Sequence, residues 1–474
     1  MTTRRAFLTR VVGAGTTAVV AASGLAACDS GSGSSGSSDS GGHVKGATAI
    51  TQVYGDGQKF IAVAVEYDTA IDTSTLTKTS FTVEGRTVTK VYANTGAALA
   101  DQGKDGPYVI VELSPDDDGA LLWGGVGSGG GAPGSAQPSA PASASSSPSA
   151  SGSPYVIPGP QVGSTGGPAT IKAAKGTVAQ AGTVTTTGGI RYAAADDTKT
   201  ATGHTVNLIV DDFQQFTYKD PKTGRSLPYN LYVPKGYDRT KSYPLVLFMH
   251  DASLISTTVR ATLVQGLGAV CWAAPEEQAE RPAFVLAPQY PEVVVGDDYK
   301  PTSLFDTTAD LVRELAGKYS IDTDRLYSTG QSMGAMMTLG LNIKYPDLFA
   351  ASWVVAGQWP ATQAAPLAKK NLWVTVSQGD TKAYPGENAI MAVVEKAGTK
   401  VSRAVWDGQS TAAEFAADVK AMAAKGTTVN YSTFRKGSTL AGGLANAHGV
   451  EHNSTWPIAY TIGGVREWIF RQRK

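Results

Sequence analysis

Apolar and polar residues alternate with period two from residue 44 to about residue 122, the pattern of strands that bury one face. Segments 60–67, 80–83, 87–92 and 108–113 are predicted strands. Gly55-Asp56-Gly57, Glu84-Gly85 and Asp105-Gly106-Pro107 supply turns between them. Strand signals return at 171–178, 189–193 and 205–210. Short strands, closely spaced turns and no helical period predict an all-β sandwich over 44–211. Residues 124–168 interrupt it with Gly, Ser, Pro and Ala in no regular period, a composition that cannot bury a core. They read as a disordered insert within the sandwich, with a linker between two small β units as the alternative.

From residue 213 the period changes. Predicted strands at 229–233, 244–249, 283–288, 325–329, 350–356, 372–376, 401–406 and 428–434 alternate with helices at 304–318, 333–344, 388–397 and 411–424. A last helix is predicted over 456–472. This alternation predicts an α/β domain over 212–474 with a mostly parallel sheet.

Composition narrows the function. The chain has 474 residues, enough for two domains, and its 40 basic and 40 acidic residues cancel. No basic cluster follows the first residues, which argues against a nucleic-acid partner. His-Glu-x-x-His, a cysteine pair, a phosphate-binding loop and a dinucleotide fingerprint are all absent, so neither metal nor cofactor is expected. Of the two cysteines, Cys271 sits in the apolar run Ala269-Val270-Cys271-Trp272 and reads as a buried thiol.

The N-terminus reads as a targeting signal. Thr3-Arg4-Arg5-Ala6-Phe7-Leu8 is a twin-arginine pattern, followed by a mildly apolar run over 11–27 that is short for a membrane span. Leu25-Ala26-Ala27-Cys28 resembles the lipobox of bacterial lipoproteins, which implies a signal over 1–28 and lipidation at Cys28. Residues 29–43 are nearly all Gly, Ser and Asp, a flexible tether. Together they predict export and a lipid anchor on the outer face of the cell membrane.

Gly330-Gln331-Ser332-Met333-Gly334 carries the chemistry. Placed between a predicted strand and a predicted helix, G-x-S-x-G is a nucleophile elbow, and Ser332 then stands at a helix N-terminus that favours a developing oxyanion. A serine hydroxyl needs a base, and the base an orienting carboxylate. Of five histidines, His43 lies in the tether, His204 in the β-rich part and His250 upstream of the elbow. His448 and His452 remain, in the loop before the last helix; His452 leads straight into it and is preferred. Asp380, first carboxylate after the strand 372–376, is the candidate acid, with Asp407 as runner-up. The backbone N–H groups of Met333 and Ala252 are candidates for the oxyanion hole. Tyr290, Trp272 and Trp359 are aromatic candidates for a substrate pocket, though such residues more often build the core.

The chain resembles the bacterial α/β-hydrolase esterases with an N-terminal Ig-like domain, related to the polyhydroxybutyrate-depolymerase-like and feruloyl-esterase-like group. The first half carries the resemblance through Asp56-Gly57-Gln58-Lys59, Val65-Glu66-Tyr67-Asp68, Phe81-Thr82-Val83-Glu84-Gly85 and Val91-Tyr92-Ala93-Asn94. The second half carries it through Pro228-Tyr229-Asn230-Leu231-Tyr232-Val233-Pro234, the elbow, Asp380 with Glu387-Asn388, and His452 with Trp456. The resemblance implies a serine esterase with the triad Ser332, Asp380 and His452, acting on a small-molecule or polymeric ester. Contact with the cell wall through the Ig-like domain is a further expectation. Two departures matter: the 124–168 insert is unusual, and Asp251 and Ser253 replace the two glycines of the family's His-Gly-x-Gly loop, which predicts a reshaped oxyanion loop. The rival readings are a peptidase of the prolyl-oligopeptidase type and an inactive surface-binding lipoprotein.

Overall fold

The computed structural model describes residues 42–124, 170–194, 199–440 and 450–474. The proposed signal with Cys28, nearly all of the tether and of the insert, and His448 lie outside the described residues. The chain divides into two units: one contains residues 59–122 and 173–208 with the residues up to 52, the other residues 53–58, 123–172 and 209–474.

The first unit is all β. Its strands run in the order Phe81–Val83, Thr177–Gln180, Lys199–Asn207, Val44–Tyr54, Gly57–Ile71, Gly106–Leu113 and Val88–Asn94. The first and last of these are joined through residues 84–87, so the ladder rolls back on itself. Alternation then sorts the side chains. Val63, Val65, Val109, Val111 and Phe81 share one buried cluster, while Ala62, Ala64, Ile110 and Tyr92 face another. Strands on both sides of the 124–168 segment pair within this one ladder, Thr177–Gln180 with Phe81–Val83 and Lys199–Asn207 with Val44–Tyr54. The strand Val44–Tyr54 had no separate prediction within the alternating run; it lies between Gly57–Ile71, reached through the Gly55-Asp56 turn, and its parallel partner Lys199–Asn207, some 150 positions away. His43, assigned to the tether, hydrogen-bonds Asp68 at 3.1 Å and stacks on Tyr192.

The second unit holds a nine-stranded sheet in the order Phe213–Lys219, Ser226–Tyr232, Phe284–Pro288, Tyr243–Met249, Ile321–Gln331, Ala351–Val355, Leu372–Ser377, Val429–Phe434 and Val401–Trp406. Ser226–Tyr232 is antiparallel to both of its neighbours, and the seven strands from Phe284–Pro288 onward in that order are mutually parallel. Tyr243–Met249 and Ala351–Val355, which flank the middle strand Ile321–Gln331, are buried end to end, as expected of a sheet covered on both faces. Helices Leu304–Lys318 and Met333–Lys344 fall where the period predicts them.

Several elements differ from expectation, among them the short helices Ala261–Val264, Leu267–Val270 and Pro275–Glu280, which had no prediction. Phe213–Lys219 forms an edge strand whose polar, mostly exposed residues gave little signal. The helix predicted to start at residue 388 starts at Ala383. The last predicted helix is two, Val450–Ala459 and Gly463–Phe470, separated by a turn at Tyr460-Thr461-Ile462. Gly463 and Gly464 disfavour a continuous helix there. The earlier start places His452 inside a helix rather than in the loop before it.

Candidate active site

The elbow is built by close approach. Strand Ile321–Gln331 ends one residue before Ser332, and helix Met333–Lys344 begins one residue after it. Ser332 has φ 52° and ψ −115°, a strained conformation for a non-glycine residue. Its N–H donates to the Val355 carbonyl at 3.0 Å, anchoring the turn to the neighbouring strand. A Cβ at position 334 would lie 1.9 Å from the Met249 carbonyl oxygen, and one at 330 would lie 2.4 Å from the Gly334 backbone. Backbone cannot retreat as a flexible side chain can. Gly334→Ala is therefore expected to destabilise the fold by about 3 kcal/mol or more, at the upper end of overpacking costs. A urea unfolding midpoint beside wild type measures it, and an unchanged midpoint would contradict the packing described.

Ser332, His452 and Asp380 come together from three separate elements. The Ser332 hydroxyl donates to His452 Nε2 at 2.9 Å, and His452 Nδ1–H donates to Asp380 Oδ2 at 2.5 Å. The other carboxylate oxygen of Asp380 accepts the N–H groups of Lys382 and Ala383 at 2.9 and 2.8 Å. Asp380 is buried, which alone would raise its pKa; the facing His452 and those two N–H groups outweigh burial and hold it below the usual carboxylate value. Burial likewise pushes His452 down, but the Asp380 carboxylate, with a smaller contribution from Asp251, raises it above its ordinary 6.5.

Glu451, which sequence reasoning passed over, ties the histidine-bearing helix to the acid loop. Its Oε2 accepts the Ser377 hydroxyl at 2.5 Å and the Gly437 N–H at 3.0 Å. A Cβ at position 379 would overlap the Glu451 carboxyl group, so a side chain there would push that carboxylate off Ser377 and Gly437. The one signal for Glu451 was its place beside His452.

The runner-up Asp407 is a turn former. It accepts the Gln409 N–H at 2.8 Å and pairs with Arg435 at 2.9 Å, away from His452. His250 is fully buried; its Nδ1–H donates to the Asp251 carbonyl at 2.8 Å and its Nε2 accepts the Tyr290 N–H at 2.9 Å. Burial lowers its pKa and keeps it neutral. His204 lies exposed in the first unit.

Met333 opens the elbow helix and Ala252 opens a 3-10 turn, Ala252–Leu254, so the N–H of each is free of the acceptor that later residues have. The glycine replacements cost no backbone strain. Asp251 sits at φ −78° and ψ 170°, open to any residue, and Ser253 is not among the described residues with positive φ. Of the aromatic candidates, Trp272 is enclosed by Trp353 and Phe470. Tyr290 is enclosed against His250 and Thr308. Both are core. Trp359 packs on Phe305 and Tyr299, with its ring N–H on Gln363. Among the described residues no group of three or more His, Cys, Asp or Glu side chains is placed to hold a metal ion.

Residues 46–193 match the family described as the esterase Ig-like N-terminal domain. The chain is 30% identical over 104 residues to acetylxylan esterase A of Emericella nidulans, covering 19% of this chain and 34% of that protein. It is 41% identical over 64 residues to the putative esterase NocK of Nocardia uniformis subsp. tsuyamanensis, covering 14% and 19% respectively. The chain thus spans about a third of the length of the acetylxylan esterase, and less of NocK. The crystal structure of a thermostable esterase superposes with a TM-score of 0.70 at 26% identity, over 91% of this chain and all of that one. By its sheet, its elbow and these likenesses, the chain is an α/β-hydrolase-fold protein headed by an Ig-like domain of the esterase type.

Proposed function

We propose that this protein is a serine esterase that hydrolyses carboxylic esters through an acyl-enzyme. The observation that carries the reading is the continuous relay from the Ser332 hydroxyl through His452 to Asp380. Ser332 Oγ attacks the ester carbonyl as its proton passes to His452 Nε2, and Asp380 holds the imidazole in the tautomer that can accept it. The N–H groups of Met333 and Ala252 receive the oxyanion. His452 then returns the proton to the leaving alcohol. Water, activated by the same histidine, splits the acyl-enzyme and releases the acid. Relatives named for acetylxylan make acetyl esters, free or on a polysaccharide, the first substrate class to test. Twin arginines and the Cys28 lipobox support placement on the outer face of the cell membrane, held by lipid.

The test is hydrolysis of a chain-length series of p-nitrophenyl esters, beside a peptide p-nitroanilide. Turnover of the esters alone supports the reading; turnover of the anilide alone replaces it with a peptidase.

The relay also sets the pH dependence. His452 must be neutral to accept the serine proton, and its pKa is raised above 6.5. The acid limb of kcat/KM is therefore expected above the ordinary histidine value, with activity rising as pH passes through it. A limb below 6.5 would contradict the charge pairing described.

A further inference from the structure

We propose that Asp251 is a positioning residue whose carboxylate pegs the loop bearing the Ala252 N–H to the nucleophile elbow. This rests on the esterase reading and deepens it.

Asp251 is 3% exposed, yet four donors converge on its side chain. Oδ1 takes the N–H of Ser253 at 2.8 Å and the Ser253 hydroxyl, which closes the 3-10 turn beginning at Ala252. Oδ2 reaches out of the loop, taking Gln331 Nε2 at 2.8 Å and Gln265 Nε2. Gln331 also donates to Gln265 Oε1 at 3.1 Å, so the three side chains form one closed network. Gln331 immediately precedes Ser332. One carboxylate therefore shapes the loop with one oxygen and locks it to the nucleophile's own strand with the other.

The main chain of the loop is held too. The Asp251 carbonyl accepts His250 Nδ1–H at 2.8 Å and the Leu254 N–H at 3.2 Å. The helix after Ser332 lies against the Met249 and His250 carbonyls, where an added Cβ at 334 finds them at 1.9 and 3.0 Å. A loop fixed at these points cannot slide against Ser332. That matters because an oxyanion donor acts through its position before reaction begins. The peg is built from a buried carboxylate and two glutamines.

The peg has a second consequence that a purely structural role lacks: the Asp251 charge acts on His452. The charged groups acting on His452 are Asp380 and Asp251, which favour its proton, and Lys382, which opposes it. Facing Asp251 are His250 from its own loop, held neutral by burial, and the uncharged Gln265 and Gln331. Lys382 is in turn paired with Asp297.

The experiment measures kcat, KM and the pH profile of kcat/KM on p-nitrophenyl acetate for the full-length protein, Asp251→Asn, Asp251→Gly and Ser332→Ala, with a thermal unfolding curve for each. Asp251→Gly is expected to lose about 10- to 100-fold in kcat, with KM within about threefold. Asp251→Asn keeps an acceptor for Ser253. It is expected to recover part of that kcat while its acid limb moves to lower pH. Asp251→Gly with wild-type kcat would overturn the proposal. Should Asp251→Gly fail to fold, Asp251→Asn decides, and wild-type kcat with an unmoved acid limb overturns it. Wild type no faster than Ser332→Ala would remove the esterase reading and the peg with it; an active wild type matched by both Asp251 variants would remove the peg alone.

Discussion

Ser332→Ala is expected to lower kcat on p-nitrophenyl acetate by on the order of a million-fold, leaving KM nearly unchanged. The size follows from the geometry. Ser332 Oγ is the atom that His452 Nε2 meets at 2.9 Å, and alanine leaves no group there to bond the acyl carbon. Structure should survive, because the glycine contacts and the 3.0 Å bond from the residue 332 N–H to Val355 do not involve the hydroxyl. Steady-state kinetics on wild type and variant, with circular dichroism as a folding control, make the comparison. A loss below about tenfold would mean that another group carries the reaction.

Asp380→Asn is expected to cost about 10,000-fold in kcat, the loss typical when a triad carboxylate becomes an amide. Asparagine has the same shape, so one oxygen can still accept the N–H groups of Lys382 and Ala383. Its amide nitrogen then faces His452 Nδ1 and donates to it. That reverses the tautomer: Nε2 carries the hydrogen and cannot take one from Ser332. Loss of the carboxylate also removes the main charge that raises His452. The residual activity should therefore show its acid limb at lower pH. Measuring the pH profile of the residual activity separates this cause from misfolding, which would lower kcat without moving the limb.

The elbow was legible in sequence because it is local: five residues and their flanking periods hold all of its geometry. Elimination among five histidines reached His452, and position after a strand reached Asp380. What escaped depends on distant partners. His452 sits in a helix that includes His, Asn, Ser, Thr and Pro457, a poor helical composition held by the Glu451 contacts to Ser377 and Gly437. The replacement of glycine by Asp251 was visible as a departure. Its partners Gln265 and Gln331 lie 14 and 80 positions away, so the departure read as a change in the loop rather than as a peg. The parallel pairing of Val44–Tyr54 with Lys199–Asn207, some 150 positions apart, escaped in the same way.

Covalent trapping makes the nucleophile identify itself. The full-length protein is treated with a fluorophosphonate, its intact mass is measured, and the modified peptide is mapped. A single phosphonyl adduct is expected on the peptide bearing Ser332, with loss of esterase activity in step with labelling and no adduct in Ser332→Ala. An adduct on another residue, or ester turnover that persists once Ser332 is fully labelled, would contradict Ser332 as the nucleophile.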